Sequence, residues 1–352
     1  MRRPVMNALV WLGPREMALR ETALPRLPAD HVRLKVQAVG ICGSELSGYL
    51  GKNSLRVPPL VMGHEFSGVV EEIGAAVADV ADVAVGDRVV VNPLLTCGEC
   101  GYCLSGHENL CQQRALVGAH LPGAFADTVT VPASACLPVP AGVGFLTASL
   151  AEPLACAVRA VKLAGSADAR RGSLRVIGAG PIGLLCALVA RRSGFDDVSV
   201  HDPNEARVAL ATAWGLAGSS EAVGGAAGND HGQADAAIDA VGLEVTRRSA
   251  IGAIKRGGIA VFIGLHSPQA AFDGNDLVRD EKIVRGCFAY TRDDFARAVA
   301  LLEEGLLPSP EEWVTIRPLA EGRACFEELT GPDPASVKIV LRPSGANWRI
   351  GE

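Results

Sequence analysis

The chain has no long apolar run. Its longest stretches of that kind, such as Ile182 to Ala190, fall well short of the roughly 20 residues a bilayer-spanning helix needs, so no such helix is expected. No secretory leader is expected either: Arg2 and Arg3 are followed by a short apolar stretch broken at Asn7, Gly13 and Pro14. There is no basic block, and with a net charge of -6 nothing offers to neutralise a phosphate backbone, which argues against nucleic acid as a partner. No internal repeat is present, and the one low-complexity patch, Ala222 to Gly232, reads as a Gly-rich surface loop. Nor are the ten cysteines spread as a disulfide framework. Four crowd into one short stretch and the others scatter through apolar sequence, so reduced thiols, a metal site and a cytoplasmic location are expected.

What remains is an ordinary globular composition, 49% hydrophobic and 20% charged, over 352 residues, more than one core usually organises. Two domains are expected. From Ala8 to Val139 short β-like runs alternate with Gly, Pro and Asp: His31 to Val39, Phe66 to Ile73, Arg88 to Val91 and Ala126 to Val131. This is the pattern of a twisted β-barrel. An Ala/Leu-rich segment from Thr147 to Ala164 predicts one inter-domain helix. Beyond it strands at Leu174 to Ile177, Val198 to Asp202, Ala236 to Asp239, Ile259 to Ile263 and Lys282 to Gly286 alternate with helical segments, among them Ile182 to Arg192 and Glu205 to Trp214. Such alternation predicts parallel βαβ units. After a helix at Asp293 to Glu304, the strand Val337 to Leu341 has no helix following it and is free to rejoin the first domain.

Gly178-Ala179-Gly180-Pro181-Ile182-Gly183 directly follows a predicted strand and opens a helix. There Gly178 allows a tight turn, Gly180 lets backbone approach a pyrophosphate, and Gly183 permits close helix–strand packing. Asp202 ends the next strand about twenty residues on, where a carboxylate accepts from ribose hydroxyls and repels a 2'-phosphate. NAD is therefore expected, although Arg207, inside the following helix, leaves NADP open.

Cys97, Cys100, Cys103 and Cys111 lie in a Gly-rich loop at C-x2-C-x2-C-x7-C spacing. Four thiolates so placed can enclose a tetrahedral zinc with no position left for substrate, so this site is expected to be structural. An iron–sulfur cluster is the main alternative, but the last spacing is long and no Pro follows Cys111. His107 and Glu108, within the loop, read as solvated. A second set is dispersed: Cys42 in Gly40-Ile41-Cys42-Gly43-Ser44, His64 and Glu65 after Gly63, and Glu152 before Pro153. Taken one by one these residues are unremarkable. Together they are a mixed S/N/O donor set with room for an open position, which is the chemically useful one.

The combination of Gly40-Ile41-Cys42-Gly43-Ser44, Gly63-His64-Glu65-Phe66-Ser67-Gly68, the four-Cys loop, Glu152-Pro153-Leu154 and the glycine fingerprint resembles the zinc-containing medium-chain dehydrogenases, in the branch of sorbitol, butanediol, threonine and sugar-alcohol-phosphate dehydrogenases. The resemblance covers nearly the whole chain. It implies an α/β protein with a GroES-like β-barrel catalytic domain (1–155, structural zinc loop 96–112), a Rossmann doubly wound domain (156–288) and a C-terminal segment (289–352) that completes the first. It implies catalytic zinc held by Cys42, His64 and Glu65 or Glu152, and Ser44 as first member of a proton relay. The NAD site is expected to include Pro181, Ile182, Val241, Gly264, Leu265 and Phe288 besides the fingerprint, Asp202 and Arg207. The implied activity is hydride transfer between a secondary alcohol and NAD by a zinc-dependent enzyme with two zinc ions per chain, acting as a homodimer or homotetramer.

An NADPH-linked carbonyl reductase and a non-catalytic nucleotide-binding sensor are the rival readings. Two positions depart from the family pattern. Glu45 and Ser47 stand where many relatives have Asp and His, so proton exit by another route is expected, and Phe288-Ala289-Tyr290 lacks the arginine that touches substrate in many polyol dehydrogenases. Tyr49, Tyr290 and His120 are further pocket candidates of lower rank, and His201 and His266 flank strand ends near the expected cofactor.

Overall fold

The computed structural model describes residues 4–166, 172–221, 233–332 and 334–348. The patch Ala222 to Gly232 lies outside the described residues. The chain divides into two compact units, one of Met1–Glu152, Ala298–Gly305 and Ser309–Glu352, the other of Pro153–Arg297 and Leu306–Pro308.

In the first unit Val5–Gly13 and Glu16–Ala23 form an antiparallel hairpin, extended by Leu60–Val61. A seven-stranded sheet runs Cys136–Pro138, Arg88–Val91, Glu65–Ile73, His31–Gly40, Lys338–Arg342, Val314–Pro318, with Thr128–Pro132 also paired to His31–Gly40. His31–Gly40 is the hub of this sheet: Val32, Leu34, Val36 and Ala38 alternate along the strand and, with Val39 near its end, are all fully buried. Its last residue carries the functional consequence. Gly40 pairs with Glu65 on one side and with Val340 on the other, so the end of one strand, the start of a second and a C-terminal strand converge just before Cys42.

The core beneath is sealed by aromatic rings. Phe326 meets Phe125 edge-on at 5.8 Å and Tyr49 at 5.3 Å. Its helix, Gly322–Leu329, is not among the elements expected from sequence; at eight residues it is too short for periodicity to mark. The expected continuous helix from Thr147 to Ala164 is in fact two, Phe145–Ala148 and Ala151–Ala164. Pro153 accounts for the break. Lacking an N–H, it is tolerated in a first turn but not where residue 149 would still be helical. The Ser149 hydroxyl closes the first helix by donating to the Leu146 carbonyl at 2.7 Å.

In the second unit six strands pair in parallel. In chain order they are Ser173–Ile177, Asp197–His201, Ala217–Ser219, Ala234–Asp239, Ile254–Phe262 and Ile283–Gly286, and their order across the sheet is third, second, first, fourth, fifth, sixth. This is the Rossmann order, with its switch point between the first and fourth strands. Ala234–Asp239 is buried along its whole length, as a central parallel strand must be. No helix among the described residues is long and apolar enough to cross a membrane.

Candidate active site

Cys42 ends the segment leaving His31–Gly40 and serves as N-cap of the helix Gly43–Tyr49. His64 immediately precedes Glu65–Ile73, and Gly63 turns the chain into it at φ +104°, where a Cβ would meet the Phe125 nitrogen at 2.6 Å. The Cys42 sulfur, an imidazole nitrogen of His64 and a carboxylate oxygen of Glu65 then lie within 4.8 Å of one another. Glu152, buried in the first turn of Ala151–Ala164, stands outside that set.

Glu45 is what fixes this arrangement. Wholly buried, it accepts from the Cys42 N–H at 3.1 Å and the Gly63 N–H at 2.8 Å, and it meets His64 Nδ1 at 2.7 Å. One carboxylate therefore ties the cysteine's backbone to the histidine's ring through Nδ1, so that Nε2 is the ring nitrogen that could coordinate a metal. Burial works against the Glu45 carboxylate, but His64, Arg56 and the Cys42 N–H outweigh it and hold its pKa below the ordinary value. Burial likewise opposes a charged His64, and there Glu45 and Cys42 prevail and raise its pKa well above normal. Sequence reading noticed Glu45 only as a departure from a family pattern. Its i+3 spacing from the N-cap Cys42 is the capping signal that could have marked it.

Glu65 is secured from the other side. Lys338, buried on the C-terminal strand, pairs with one Glu65 oxygen and donates to the Ile41 carbonyl at 2.9 Å. Burial opposes this ammonium, yet Glu65 and Cys42 raise its pKa overall. Ser44 donates to Cys42 Sγ at 3.4 Å. A thiolate, an imidazole nitrogen and a carboxylate oxygen held this closely suit zinc with one open position.

The four-cysteine loop is geometrically distinct. Its sulfurs lie within 4.8 Å of one another, with Cys97–Cys103 at 3.8 Å and both Cys100–Cys103 and Cys111–Cys97 at 3.5 Å. A tetrahedron with Zn–S bonds of about 2.3 Å has S···S edges of about 3.8 Å, whereas a disulfide would bring two sulfurs to about 2.05 Å. The thiols pull one another's titration apart: an N–H bond from Cys103 lowers Cys100 to about 6, while burial and its neighbours' sulfurs push Cys103 up to about 12. Four such thiols ionise together only around a cation. His107 is exposed and folds onto the Ser105 carbonyl at 2.9 Å.

In the second unit Gly178 at φ +98° faces Val241, and Gly183 packs so tightly on Gly178 that neither admits a side chain. Gly180 is different. A Cβ there would meet nothing within 4 Å, which is the open cradle a pyrophosphate needs at the N-terminus of Pro181–Arg192. Asp202 is buried and accepts from the Ala179 N–H at 2.8 Å and the Asn204 N–H at 2.9 Å, with Arg207 3.8 Å away. Asp239 takes the N–H groups of Val241 and Gly242, each at 3.0 Å, and Gly242 abuts Gly264. Leu265 and Phe288 present apolar surface to solvent.

Other candidates fall outside these sets. Tyr49 is buried with its hydroxyl on the Arg15 carbonyl at 3.1 Å, and Tyr290 is buried against Phe295. The exposed His120 ring accepts from the Leu116 N–H at 3.0 Å. His201 meets Ser199 at 2.8 Å, and His266 is exposed.

Comparison with known proteins agrees with this geometry. Residues 28–141 match the alcohol dehydrogenase GroES-like domain and residues 181–304 the zinc-binding dehydrogenase domain. D-altritol 5-dehydrogenase of Agrobacterium fabrum is 34% identical over 345 residues, covering 95% of this chain and 98% of that protein. The chain belongs to the zinc-containing medium-chain dehydrogenases. Another relative in this family, L-galactonate-5-dehydrogenase of Escherichia coli, is 31% identical over 85% of this chain and 88% of its own. Among solved structures, 2R,3R-butanediol dehydrogenase of Bacillus subtilis superposes with a TM-score of 0.84 at 29% identity, covering 96% of this chain and 100% of that one. A zinc-binding dehydrogenase of Sinorhizobium meliloti bound to NADP does so with a TM-score of 0.87 at 27% identity, covering 97% and 100%. As a member of this family the protein is an oxidoreductase of the alcohol dehydrogenase kind, working with zinc and a nicotinamide cofactor.

Proposed function

We propose that this dehydrogenase oxidises a secondary hydroxyl of a polyol, sugar alcohol, cyclitol or diol and passes the hydride to NAD, with Cys42, His64 and Glu65 as the catalytic zinc ligands. The carrying observation is the S/N/O set within 4.8 Å, held on one side by Glu45 and on the other by Lys338. The names of the D-altritol, L-galactonate and butanediol relatives support a hydroxyl flanked by further oxygens. Zinc in the mixed set would supply Lewis acidity toward a hydroxyl oxygen in its open position. Glu45 keeps the His64 ring oriented, Lys338 keeps Glu65 from swinging away, and Ser44 offers its hydroxyl to the substrate oxygen. Glu152 serves as a buried reserve carboxylate, and the four-cysteine loop holds a second, structural zinc.

On this reading the first unit is the catalytic domain, close to 1–155 plus 289–352, and the second binds the dinucleotide through Gly178, Gly180, Pro181, Ile182, Gly183, Val241, Gly264, Leu265 and Phe288. NAD is favoured because the buried Asp202 follows the second strand about twenty residues after the glycine fingerprint, where a carboxylate accepts from ribose hydroxyls and repels a 2'-phosphate. The second reading, an NADPH-linked carbonyl reductase, draws on Arg207 beside Asp202. The enzyme is proposed to act in the cytoplasm as a homodimer or homotetramer.

Spectrophotometric assays of diols, polyols, sugar acids and cyclitols with NAD and with NADP test the proposal. Reduction of NAD by at least one vicinal polyol, lost on prolonged chelation and restored by zinc, is expected. A kcat/KM at least tenfold higher with NADPH and a ketone would install the reductase instead. Chelation without effect would refute both.

A further inference from the structure

The fourth strand of the parallel sheet, Ala234–Asp239, ends on a carboxylate that never reaches water: Asp239 has no exposed surface. One of its oxygens accepts from the Val241 and Gly242 N–H groups, each at 3.0 Å, and the other accepts from Gly242 at 3.1 Å. Its backbone carbonyl takes the N–H groups of Ile263 and Gly264, each at 3.0 Å, from the turn after the fifth strand. Arg247, on the helix Glu244–Ala253, closes the set. Its Nε lies 3.9 Å from Asp239 Oδ2, and its Nη2 donates to the Gly264 carbonyl at 3.3 Å. One acid and one base therefore hold two turns together. The fit between the turns is close, since a Cβ on Gly242 would run into the Gly264 backbone.

These turns share an edge with the glycine turn, because the first, fourth and fifth strands run parallel and align at Ile177, Asp239 and Phe262. The order of strands divides that edge. The second strand, with Asp202 beyond its end, lies on one side of the first, and the fourth and fifth lie on the other. A dinucleotide whose pyrophosphate rests on the turn between them has its adenosine half toward Asp202 and its nicotinamide half toward the fourth and fifth strands. Each side has its own buried carboxylate. Asp202 anchors the glycine turn through the Ala179 N–H at 2.8 Å, while Asp239 holds the backbone of Val241, whose Cγ2 fills the space beside Gly178.

We infer that Asp239 and Arg247 are the positioning pair for the nicotinamide half of the cofactor site. Asp239, without exposed surface, cannot touch a ligand itself; the pair acts through the backbone of Val241, Gly242 and Gly264. The inference rests on the reading of the glycine turn as the dinucleotide site.

Calorimetric titration of the zinc-loaded protein with NADH and, separately, with ADP-ribose tests it, with the melting temperature recorded for each variant. The 2'-phosphorylated forms replace both ligands where the chain takes NADP. Asp239→Asn, which sets an amide nitrogen opposite Arg247, and Arg247→Met, which removes the cation, should each raise the Kd for NADH about 10-fold. The Kd for ADP-ribose should stay within about 2-fold, because the adenosine side keeps its anchor at Asp202. Combined, the two substitutions should weaken NADH less than about 2-fold beyond either alone, since both break one contact. Arg247→Lys, which keeps the charge without the fork, should fall between Arg247→Met and the unmodified protein. Should Asp239→Asn fail to fold, the Arg247 variants, whose side chain is partly exposed, carry the comparison.

Equal weakening of NADH and ADP-ribose would overturn the inference, since general damage to the unit moves both ligands alike. So would full multiplication of the two effects. If the unmodified protein binds neither ligand, the reading of the glycine turn falls; if it binds both and the folded variants match it, only the positioning pair falls.

Discussion

The four-cysteine loop takes all its donors from one short segment, Cys97 to Cys111, and closes them with S···S distances of 3.5 to 3.8 Å. The Cys42 centre in the same unit takes one donor from the end of a strand and two from the start of another, and it is braced by a lysine on the C-terminal strand. The first set has four like ligands; the second has three unlike ligands with Glu45, Lys338 and Ser44 bonded around them. A closed, uniform site can contribute only folding energy, whereas an incomplete, mixed site spends fold to hold a vacancy for substrate.

If that contrast is right, the two sites break differently. Cys42→Ser should cost at least about 1,000-fold in kcat while leaving the melting temperature within about 2 °C, as measured by NAD reduction and calorimetry, because the fold around position 42 rests on backbone pairing and not on the ion. Glu45→Gln should weaken zinc binding at the mixed site about 10- to 100-fold in competition with a chromophoric chelator, with Glu45→Asp falling between, since the ring of His64 loses its anchor. Cys103→Ser should do the reverse of Cys42→Ser: a drop in melting temperature of about 5 °C or more, with kcat per folded, zinc-loaded chain within about 3-fold.

The smallest effect belongs to a control remote from both metals. Asp235, buried in the second unit, accepts from the Ser173 N–H at 2.7 Å and pairs with Lys255. Burial raises its pKa, but Lys255 and Ser173 outweigh it and leave the value below the ordinary carboxylate range. A depressed folded-state pKa stabilises above the unfolded pKa and loses that contribution as pH falls through the folded value. Asp235→Asn should therefore cost about 1 kcal/mol at neutral pH, flatten the acid limb of stability and leave both zinc affinities unchanged, as read by denaturant titration across pH.

The same contrast decides what could be read in advance. The cysteine loop was legible because ligand geometry there is local, so spacing alone carries it. The glycine turn was legible for the same reason, each glycine answering to a contact a few residues away or to an open cradle. Cys42, His64 and Glu65 were legible only as a combination, because their convergence is a matter of strand register. The supporting residues lay deeper still. Lys338 is 273 residues from Glu65 in sequence, and a lone lysine in a β-like run gives no sign that it is buried. Arg56 sits in an irregular segment where no periodicity operates. Helix boundaries near Pro153 failed for a simpler reason, since composition outweighed the breaker that was in plain view.

The central claim, that this chain holds one enclosed and one incompletely ligated zinc, is tested most directly by X-ray absorption at the zinc edge together with metal analysis. The account predicts about two zinc ions per chain in a mixed sulfur and nitrogen/oxygen shell, reduced in Cys42→Ser to about one ion in a shell of sulfur alone. A single zinc with an all-sulfur shell in the unmodified protein would contradict it.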